Sequence, residues 1–227
     1  MKIGVLGGIG PEATGIFYND LIKRLQDKKL IKNNKDFPQI IVNSIPAPEL
    51  IFEEIKKEEL EPYIKGLKEL EKFGVDFIVM VCNTIHLYYD RLQKAIKTPI
   101  LDVRKEVKKT LDEKGIKSTV IIGSPNAIKK GLYRFEGIKT YEPTSEEQKQ
   151  LSEAIFNYNK GFEKEKQVEK VRQICKSHMK NGAETILLAC TETALMLRDS
   201  DLPLIDSMNV LIETTIKKIK QEKKICM

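Results

Sequence analysis

The 227-residue sequence has no tryptophan, and aromatic residues make up only 7% of it. Its net charge of +6 does not come from a patch of one sign, because lysines alternate with glutamates, as in Glu53–Glu59. Recognition of nucleic acid needs a one-signed patch with aromatic platforms for the bases, and neither is visible. We therefore expect no nucleic-acid partner and interpret the charged stretches as solvated helix faces.

Long apolar runs are also absent from the sequence. No stretch approaches the roughly 20 apolar residues that span a bilayer. The apolar part of the N-terminus is too short for a signal peptide. We expect no membrane partner and a cytoplasmic location.

The four cysteines, at positions 82, 175, 190 and 226, form no C-x-x-C pair and no spacing typical of metal ligands. In a reducing compartment they are not expected to form a disulfide framework. The sequence thus predicts no metal site, and the place of each cysteine in the fold matters more than the number of cysteines.

Short β-branched segments alternate with longer amphipathic ones, which predicts an α/β fold. Continuous apolar strands such as Phe77–Val81 favour parallel sheets covered on both faces. The predicted strands are Lys2–Leu6, Gln39–Ile45, Phe77–Val81, Ile100–Leu101, Thr119–Gly123, Ile138–Tyr141, Thr185–Ala189 and Leu204–Ile205. The predicted helices are Pro11–Lys28, Pro62–Phe73, Ile85–Lys94, Val103–Lys114, Glu146–Tyr158, Glu165–Asn181 and Asn209–Lys220. Ser145 and Gln148 have the spacing of a capping box at the start of one of them.

The chain contains an internal repeat. Residues 73–84, FGVDFIVMVCNT, resemble residues 181–192, NGAETILLACTE, and the tails Thr98–Asp102 and Leu202–Asp206 follow the two copies. A weaker similarity relates residues 2–11, KIGVLGGIGP, to residues 118–125, STVIIGSP. We predict two pseudo-symmetric three-layer α/β domains with parallel sheets. The first comprises residues 1–100 plus 205–227, and the second comprises residues 101–204.

Cys82 and Cys190 occupy equivalent positions at the carboxyl end of a strand in each copy, where open α/β sheets bind their ligands. A buried cysteine is commonly core filler, but the duplicated context argues against that interpretation here. The small polar residues that open a helix after each cysteine are Asn83, Thr84, Thr191 and Glu192. A helix N-terminus lowers the pKa of a thiol, so both cysteines are predicted to be reactive. Two thiols on opposite sides of an α-carbon could remove a proton from one face and return one to the other, as racemisation requires.

The segment Gly7–Thr14 is rich in glycine, and its positions 8, 10 and 13 fit a loose G-x-G-x-x-A dinucleotide motif. The second strand ends in Val42–Ile45 without the acidic residue that would bind a ribose. The pattern therefore favours a turn that holds a small carboxylate, with Thr14 as a polar contact. No pyridoxal-binding lysine motif is evident, so no cofactor is expected, and backbone N–H groups at the helix starts would stabilise a carbanion.

Three ordered motifs, GGIGPEAT at 7–14, CNTIH at 82–86 and CTET at 190–193, resemble those of the aspartate/glutamate racemase family over essentially the whole chain. This resemblance implies an active site in the cleft between two α/β domains, no cofactor, an amino-acid substrate and a homodimer. It places the two catalytic cysteines at Cys82 and Cys190. It places substrate contacts at Gly10, Thr14, Asn83, Thr84, Thr191 and Glu192. The CTE motif, in place of the CTHYP of cell-wall glutamate racemases, indicates the aspartate racemase branch.

One departure from the family pattern concerns the substrate. Many aspartate racemases carry an arginine after a Pro-Asp pair that follows the second strand, whereas Leu50 stands at that place here. Lys160 resembles a lysine that those enzymes use to bind substrate and could supply the missing charge; the alternative is a solvated helix lysine. Aspartate, glutamate and a broader range of amino acids all remain open.

His86 either tunes the Cys82 thiol or packs and caps locally. Cys175, Cys226 and His178 lie outside the motifs and are interpreted as structural or exposed. Hydantoin racemases, maleate isomerases and arylmalonate decarboxylases use the same scaffold, but a decarboxylase needs only one proton-delivering cysteine. A non-catalytic amino-acid-binding protein is the alternative from another class.

Overall fold

The computed structural model describes residues 1–46, 48, 50, 56 and 58–225, with side chains through residue 222, so Cys226 lies outside the described residues. The strands are β1 Lys2–Gly7, β2 Gln39–Ser44, β3 Phe77–Met80, β4 Ser118–Gly123, β5 Lys139–Tyr141, β6 Thr185–Ala189 and β7 Leu204–Asp206. The helices are α1 Pro11–Asp27, α2 Glu61–Lys72, α3 Tyr89–Lys94, α4 Val103–Glu113, α5 Pro125–Lys129, α6 Ser145–Asn159, α7 Lys164–Lys180, α8 Thr191–Met196 and α9 Ser207–Ile225. In this described part of the chain, no helix combines the length and apolar character needed to span a membrane.

The strands form two parallel sheets, which confirms the predicted α/β fold. The first sheet has the order β2-β1-β3, and Ile100 extends it through an isolated parallel bridge to Ile78. The second sheet has the order β5-β4-β6-β7. With Ile100 counted as a fourth position, the two sheets have the same order of equivalent segments. The sequence repeat is therefore a repeat of structure.

The tails of the two copies make equivalent hydrogen bonds. The amide of Ile78 donates to the carbonyl of Pro99, and the amide of Ile186 donates to the carbonyl of Pro203, each at 2.9 Å. Since these bonds add each tail to the edge of its sheet, the Pro-containing segments fix the position of the aspartate that ends them.

Each tail ends in an aspartate that begins the next helix. Asp102 accepts a hydrogen bond from the Arg104 amide at 3.1 Å, and Asp206 accepts one from the Met208 amide at 2.8 Å. A carboxylate in this position satisfies an otherwise unpaired amide of the first helical turn. The two aspartates thereby start α4 and α9 at equivalent places.

The apolar core is continuous between the two sheets. One face of the first sheet packs with α2, and the buried side chains there include Leu6 and Met80. The other face, with Ile3 and Val5, shares one cluster with α1, α4, α9 and the strands of the second sheet. Helix α9 is also tied to α1 by the ion pair between Arg24 and Glu213 at 3.2 Å. The domain boundaries near residues 100 and 205 stay a prediction.

The start of α6 differs from the predicted capping box by one residue. Thr144 Oγ1 accepts from the Glu147 amide at 3.3 Å, and Glu147 Oε2 accepts from the Thr144 amide at 2.8 Å. Both Thr144/Glu147 and Ser145/Gln148 have the required spacing, but a carboxylate is the stronger acceptor for the amide. Gln148 instead donates from Nε2 to the carbonyl of Gly123 at 3.2 Å.

Candidate active site

A cavity of about 220 Å³ lies at the carboxyl ends of β1, β3 and β6 and is lined by residues that follow strands of both sheets. Its lining includes Cys82 and Cys190, so the structure brings the two repeat cysteines to one space. The other predicted site residues that line it are Gly10, Asn83, Thr84, Lys160, Thr191 and Glu192. A larger groove of about 730 Å³ lies among α1, α4, α8 and α9, and its lining contains neither cysteine.

The glycine-rich turn after β1 brings backbone close to the cavity. Gly8 and Gly10 have φ angles of 86° and 94°, which favour glycine. A Cβ atom on Gly10 would clash with Glu192 Oε1, so a larger residue there would have to displace that carboxylate. Thr14 does not line the cavity; its Oγ1 accepts from the Gly8 amide and donates to the Gly10 carbonyl, both at 3.1 Å. Thr14 therefore stabilises the backbone of the turn and does not contact the cavity.

Burial dominates the chemistry of the Cys82 thiol, which is 9% exposed. Removal from water, together with a smaller contribution from the charge of Glu192, raises the pKa of Cys82 to about 12. The backbone amides of Ile85 and Thr84 lower this pKa, but by less than burial raises it. Contrary to the expectation that the helix start lowers the pKa of this thiol, desolvation outweighs the amide hydrogen bonds.

His86 supports the backbone of Cys82. Its Nδ1 lies 2.8 Å from the Cys82 carbonyl oxygen, and the His86 amide donates to the Asn83 carbonyl at 2.9 Å. The Cys82 carbonyl therefore receives a side-chain donor where a regular α-helix would supply the backbone amide of residue 86. This explains why the helix predicted for 85–94 begins as a 3₁₀ turn, Thr84–Tyr88, and becomes α-helical only in α3. Full burial lowers the pKa of His86 and favours a neutral ring that donates from Nδ1.

The Cys190 thiol faces a carboxylate. Cys190 Sγ donates to Glu192 Oε2 at 2.8 Å, and Thr191 Oγ1 donates to the same oxygen at 3.1 Å. Burial raises the pKa of Cys190 well above its usual value, and the charge and hydrogen bond of Glu192 raise it further. Cys82 contributes in the same direction because the two sulfurs share this poorly solvated site.

Glu192 is a buried carboxylate without a cationic partner in the described structure. It is 5% exposed, and none of the ion pairs among the described residues includes it. A buried charge is normally paired because desolvation is costly. A cationic group on a ligand would therefore be favoured beside it.

Comparison with known proteins identifies the family. The family model described as Asp/Glu/Hydantoin racemase matches residues 6–215. The chain belongs to this family. The broad specificity amino-acid racemase RacX of Bacillus subtilis (strain 168) is 28% identical over 219 residues, which cover 94% of this chain and 96% of that protein.

Solved structures of racemases share the two-domain α/β fold. The Picrophilus torridus aspartate racemase matches with a TM-score of 0.80 and 24% identity, covering 96% of this chain and 94% of that one. An aspartate racemase homologue from Pyrococcus horikoshii OT3 matches with a TM-score of 0.74 and 26% identity, covering 96% and 99% of the two chains. The predicted resemblance to the racemase family is thus confirmed.

In this member of the racemase family, hydrogen bonds join the Cys82 motif (residues 82–86) to residues that follow β4. Thr84 Oγ1 lies 2.8 Å from Ser124 Oγ, and the hydroxyl of Tyr133 donates to Asn83 Oδ1. Asn126 Nδ2 donates to the Leu50 carbonyl at 3.1 Å. Sequence reasoning missed Ser124, Asn126 and Tyr133 as residues of the site. The only signal was the Gly-Ser-Pro sequence at 123–125, which resembles the turn after β1.

The part of the cavity wall formed by Pro48 and Leu50 is apolar. Leu50 is 3% exposed, and the Pro48 carbonyl accepts a hydrogen bond from the Tyr63 hydroxyl at 2.7 Å. Lys160 is the one cation among the described residues that line the cavity. It lies exposed at the end of α6, with its Nζ 3.8 Å from the centre of the Phe156 ring. The cavity therefore has one positive group, and that group is open to solvent.

The remaining titratable candidates lie away from the cavity lining. Cys175 on α7 is fully buried, and burial raises its pKa to about 12. His178 Nε2 lies 3.2 Å from Glu147 Oε2, at the start of α6. Among the described residues, no group of three or more His, Cys, Asp or Glu side chains could hold a metal ion.

Proposed function

We propose that this protein is an amino-acid racemase that moves the α-proton between Cys82 and Cys190 without a cofactor. The observation that carries the proposal is that these two equivalent cysteines line one cavity of about 220 Å³, Cys82 two residues after β3 and Cys190 directly after β6. Family membership supports racemase chemistry, and the cavity supports the choice of the two cysteines. Acid–base catalysis needs both groups within reach of the same carbon, and one shared cavity satisfies that requirement.

The proposed reaction uses the two thiols in opposite protonation states. One sulfur, as thiolate, removes the α-proton from its face of the substrate, and the other sulfur, as thiol, donates its proton to the opposite face. For the other enantiomer the roles are exchanged. Negative charge that develops on the substrate carboxylate would be stabilised by donors held in place before the reaction, such as the side chains of Asn83 and Thr84.

Glu192 connects substrate binding with activation of the thiols. After burial, its negative charge is a further cause that raises the pKa of both Cys82 and Cys190. An α-ammonium group bound beside Glu192 would neutralise that charge, and the pKa of both thiols would fall. Thiolate would therefore form mainly when an amino acid occupies the cavity. The turn that contains Gly10 packs against the Glu192 carboxylate.

The substrate class follows from the charged groups of the cavity. An amino acid supplies the ammonium for Glu192 and a carboxylate for the amide and hydroxyl donors. Lys160 would attract the side-chain carboxylate of aspartate or glutamate, whereas Leu50 and Pro48 accept neutral side chains. We propose a range that includes acidic amino acids without being restricted to them, in keeping with the name of the Bacillus subtilis relative. A cytoplasmic homodimer, with the site between residues 1–100 plus 205–227 and residues 101–204, is part of the same proposal.

The test is hydrogen exchange at the α-carbon in D2O. The protein is incubated with L-aspartate, L-glutamate and a panel of neutral amino acids; proton NMR follows loss of the α-proton, and chiral chromatography follows the D-isomer. Loss of the α-proton with accumulation of the D-isomer is the expected result. Stabilisation of the protein by an amino acid without any exchange would instead identify a binding protein and defeat the proposal.

A further inference from the structure

Two buried hydroxyl groups lie between the two strand ends that carry the cysteines. Tyr133, which follows α5, is 1% exposed, and its hydroxyl donates to Asn83 Oδ1 in the Cys82 motif. The same hydroxyl interacts with Ser207, the first residue of α9. Ser207 Oγ in turn donates at 2.7 Å to the carbonyl of Leu188, two residues before Cys190 on β6. The phenol of Tyr133 thus lies between Asn83, which follows Cys82, and Ser207, which contacts the strand that precedes Cys190.

The contact with Tyr133 fixes which end of the Asn83 carboxamide faces the ligand. A carbonyl oxygen only accepts, so the bond from the phenol holds Oδ1 toward Tyr133. Asn83 is 4% exposed and lines the cavity. Burial raises the pKa of Tyr133 well above its usual value, so the hydroxyl keeps its proton and can donate at neutral pH. The amide N–H groups are consequently the polar part of Asn83 left for a ligand.

We propose that Tyr133 is a positioning residue of the active site, which orients the Asn83 carboxamide so that its amide N–H groups meet the substrate carboxylate. This inference rests on the proposed function. Loss of the α-proton places negative charge on that carboxylate, and a donor already aligned with it stabilises the transition state without reorganisation. Tyr133 itself does not line the cavity, so it acts through Asn83.

The test is a double-mutant cycle of Tyr133→Phe and Asn83→Ala. Removing only the phenol hydroxyl should lower kcat/KM about tenfold, because the carboxamide loses the bond that orients it. Asn83→Ala should lower kcat/KM by at least as much. The double variant should then match Asn83→Ala within about twofold, since without the carboxamide there is nothing for Tyr133 to orient. Tyr89→Phe is the matched control, because it removes a hydroxyl that donates to the Ile100 carbonyl at 2.9 Å and does not line the cavity.

A purely structural role predicts a different pattern. Thermal denaturation of the same variants would then show a loss of stability in Tyr133→Phe with unchanged kcat/KM, or the two losses in kcat/KM would multiply in the double variant. Either result overturns the inference. Should Tyr133→Phe fail to fold, Ser207→Ala removes the hydroxyl that interacts with Tyr133 and should also lower kcat/KM.

The two proposals fail separately. Absence of exchange in the wild-type protein defeats the proposed function before any variant is compared. Calorimetric affinities of the same variants for an amino acid would then still show whether Tyr133 acts through Asn83. A wild-type racemase whose Tyr133→Phe variant keeps full activity defeats only the role of Tyr133.

Discussion

The two cysteine motifs have the same place in two equivalent sheets, yet they differ in the residue two positions after the cysteine. Thr84 follows Cys82 and offers a hydroxyl and a backbone amide, whereas Glu192 follows Cys190 and offers a carboxylate that accepts a hydrogen bond from the Cys190 thiol at 2.8 Å. The repeat therefore gives the two sulfurs symmetric positions. The difference between Thr84 in one copy and Glu192 in the other makes the electrostatic environments of the two sulfurs unequal. We expect Cys82 to form a thiolate more easily than Cys190.

The largest expected effect comes from removing either thiol. Cys82→Ala and Cys190→Ala should each lower racemisation by about 10³-fold or more, because each removes a group that transfers a proton on one face. The α-proton exchange assay in D2O measures the loss. Cys175→Ala removes a buried thiol outside the cavity lining and should lower stability while leaving kcat unchanged. Full activity in either cavity variant would end the two-cysteine mechanism.

Glu192→Gln tests the carboxylate that makes the two motifs unequal. The change keeps the size of the side chain but removes the partner proposed for the substrate ammonium, so kcat/KM should fall about 10- to 100-fold. Glu12→Gln is the control: Glu12 is an exposed carboxylate, 45% accessible, that pairs with Lys164 at 2.6 Å. Its activity should stay within about twofold of wild type, as expected for a surface ion pair. Equal losses in both variants would mean that the effect is not specific to the cavity.

Leu50→Arg tests the apolar wall. A guanidinium there should raise the ratio of kcat/KM for aspartate to kcat/KM for alanine about tenfold, since it adds a second cation for a side-chain carboxylate. Leu50→Met keeps the wall apolar at similar volume and should leave the ratio unchanged. If both variants shift the ratio equally, the shape of the wall and not its charge determines selectivity.

The smallest expected effect is on thiol reactivity in the absence of substrate. Because the charge of Glu192 raises the pKa of both cavity thiols, Glu192→Gln should lower both values, more for Cys190 than for Cys82. At a pH between 7 and 9, each unit of decrease in pKa should speed alkylation by iodoacetamide up to about tenfold. Peptide mass spectrometry separates the sites, with Cys175 as the internal control. Slower alkylation of Cys190 in the variant would contradict the sign of the effect.

Much of the fold could be predicted from local pattern. Seven of the eight predicted strands are observed with small changes at their ends, whereas Ile100–Leu101 contributes only an isolated bridge at Ile100. The helices at 11–27, 103–113 and 164–180 lie where periodicity placed them. An error arose where two neighbouring residues could each form the capping box of the same helix. Thr144 and Ser145 both had capping-box partners, and only the structure shows that Thr144 and Glu147 make the hydrogen bonds.

The two repeated units, each a strand followed by a cysteine, could be recognised from the sequence alone. Apolar periodicity and the similarity of the two copies are properties of short segments. Only the tertiary structure decided the protonation of the thiols, since desolvation depends on everything packed around Cys82 and Cys190. It also decided the contacts of Tyr133 with Asn83 and of Glu192 with Gly10. These residues are far apart along the chain, and no local pattern encodes which side chains meet when two sheets pack together.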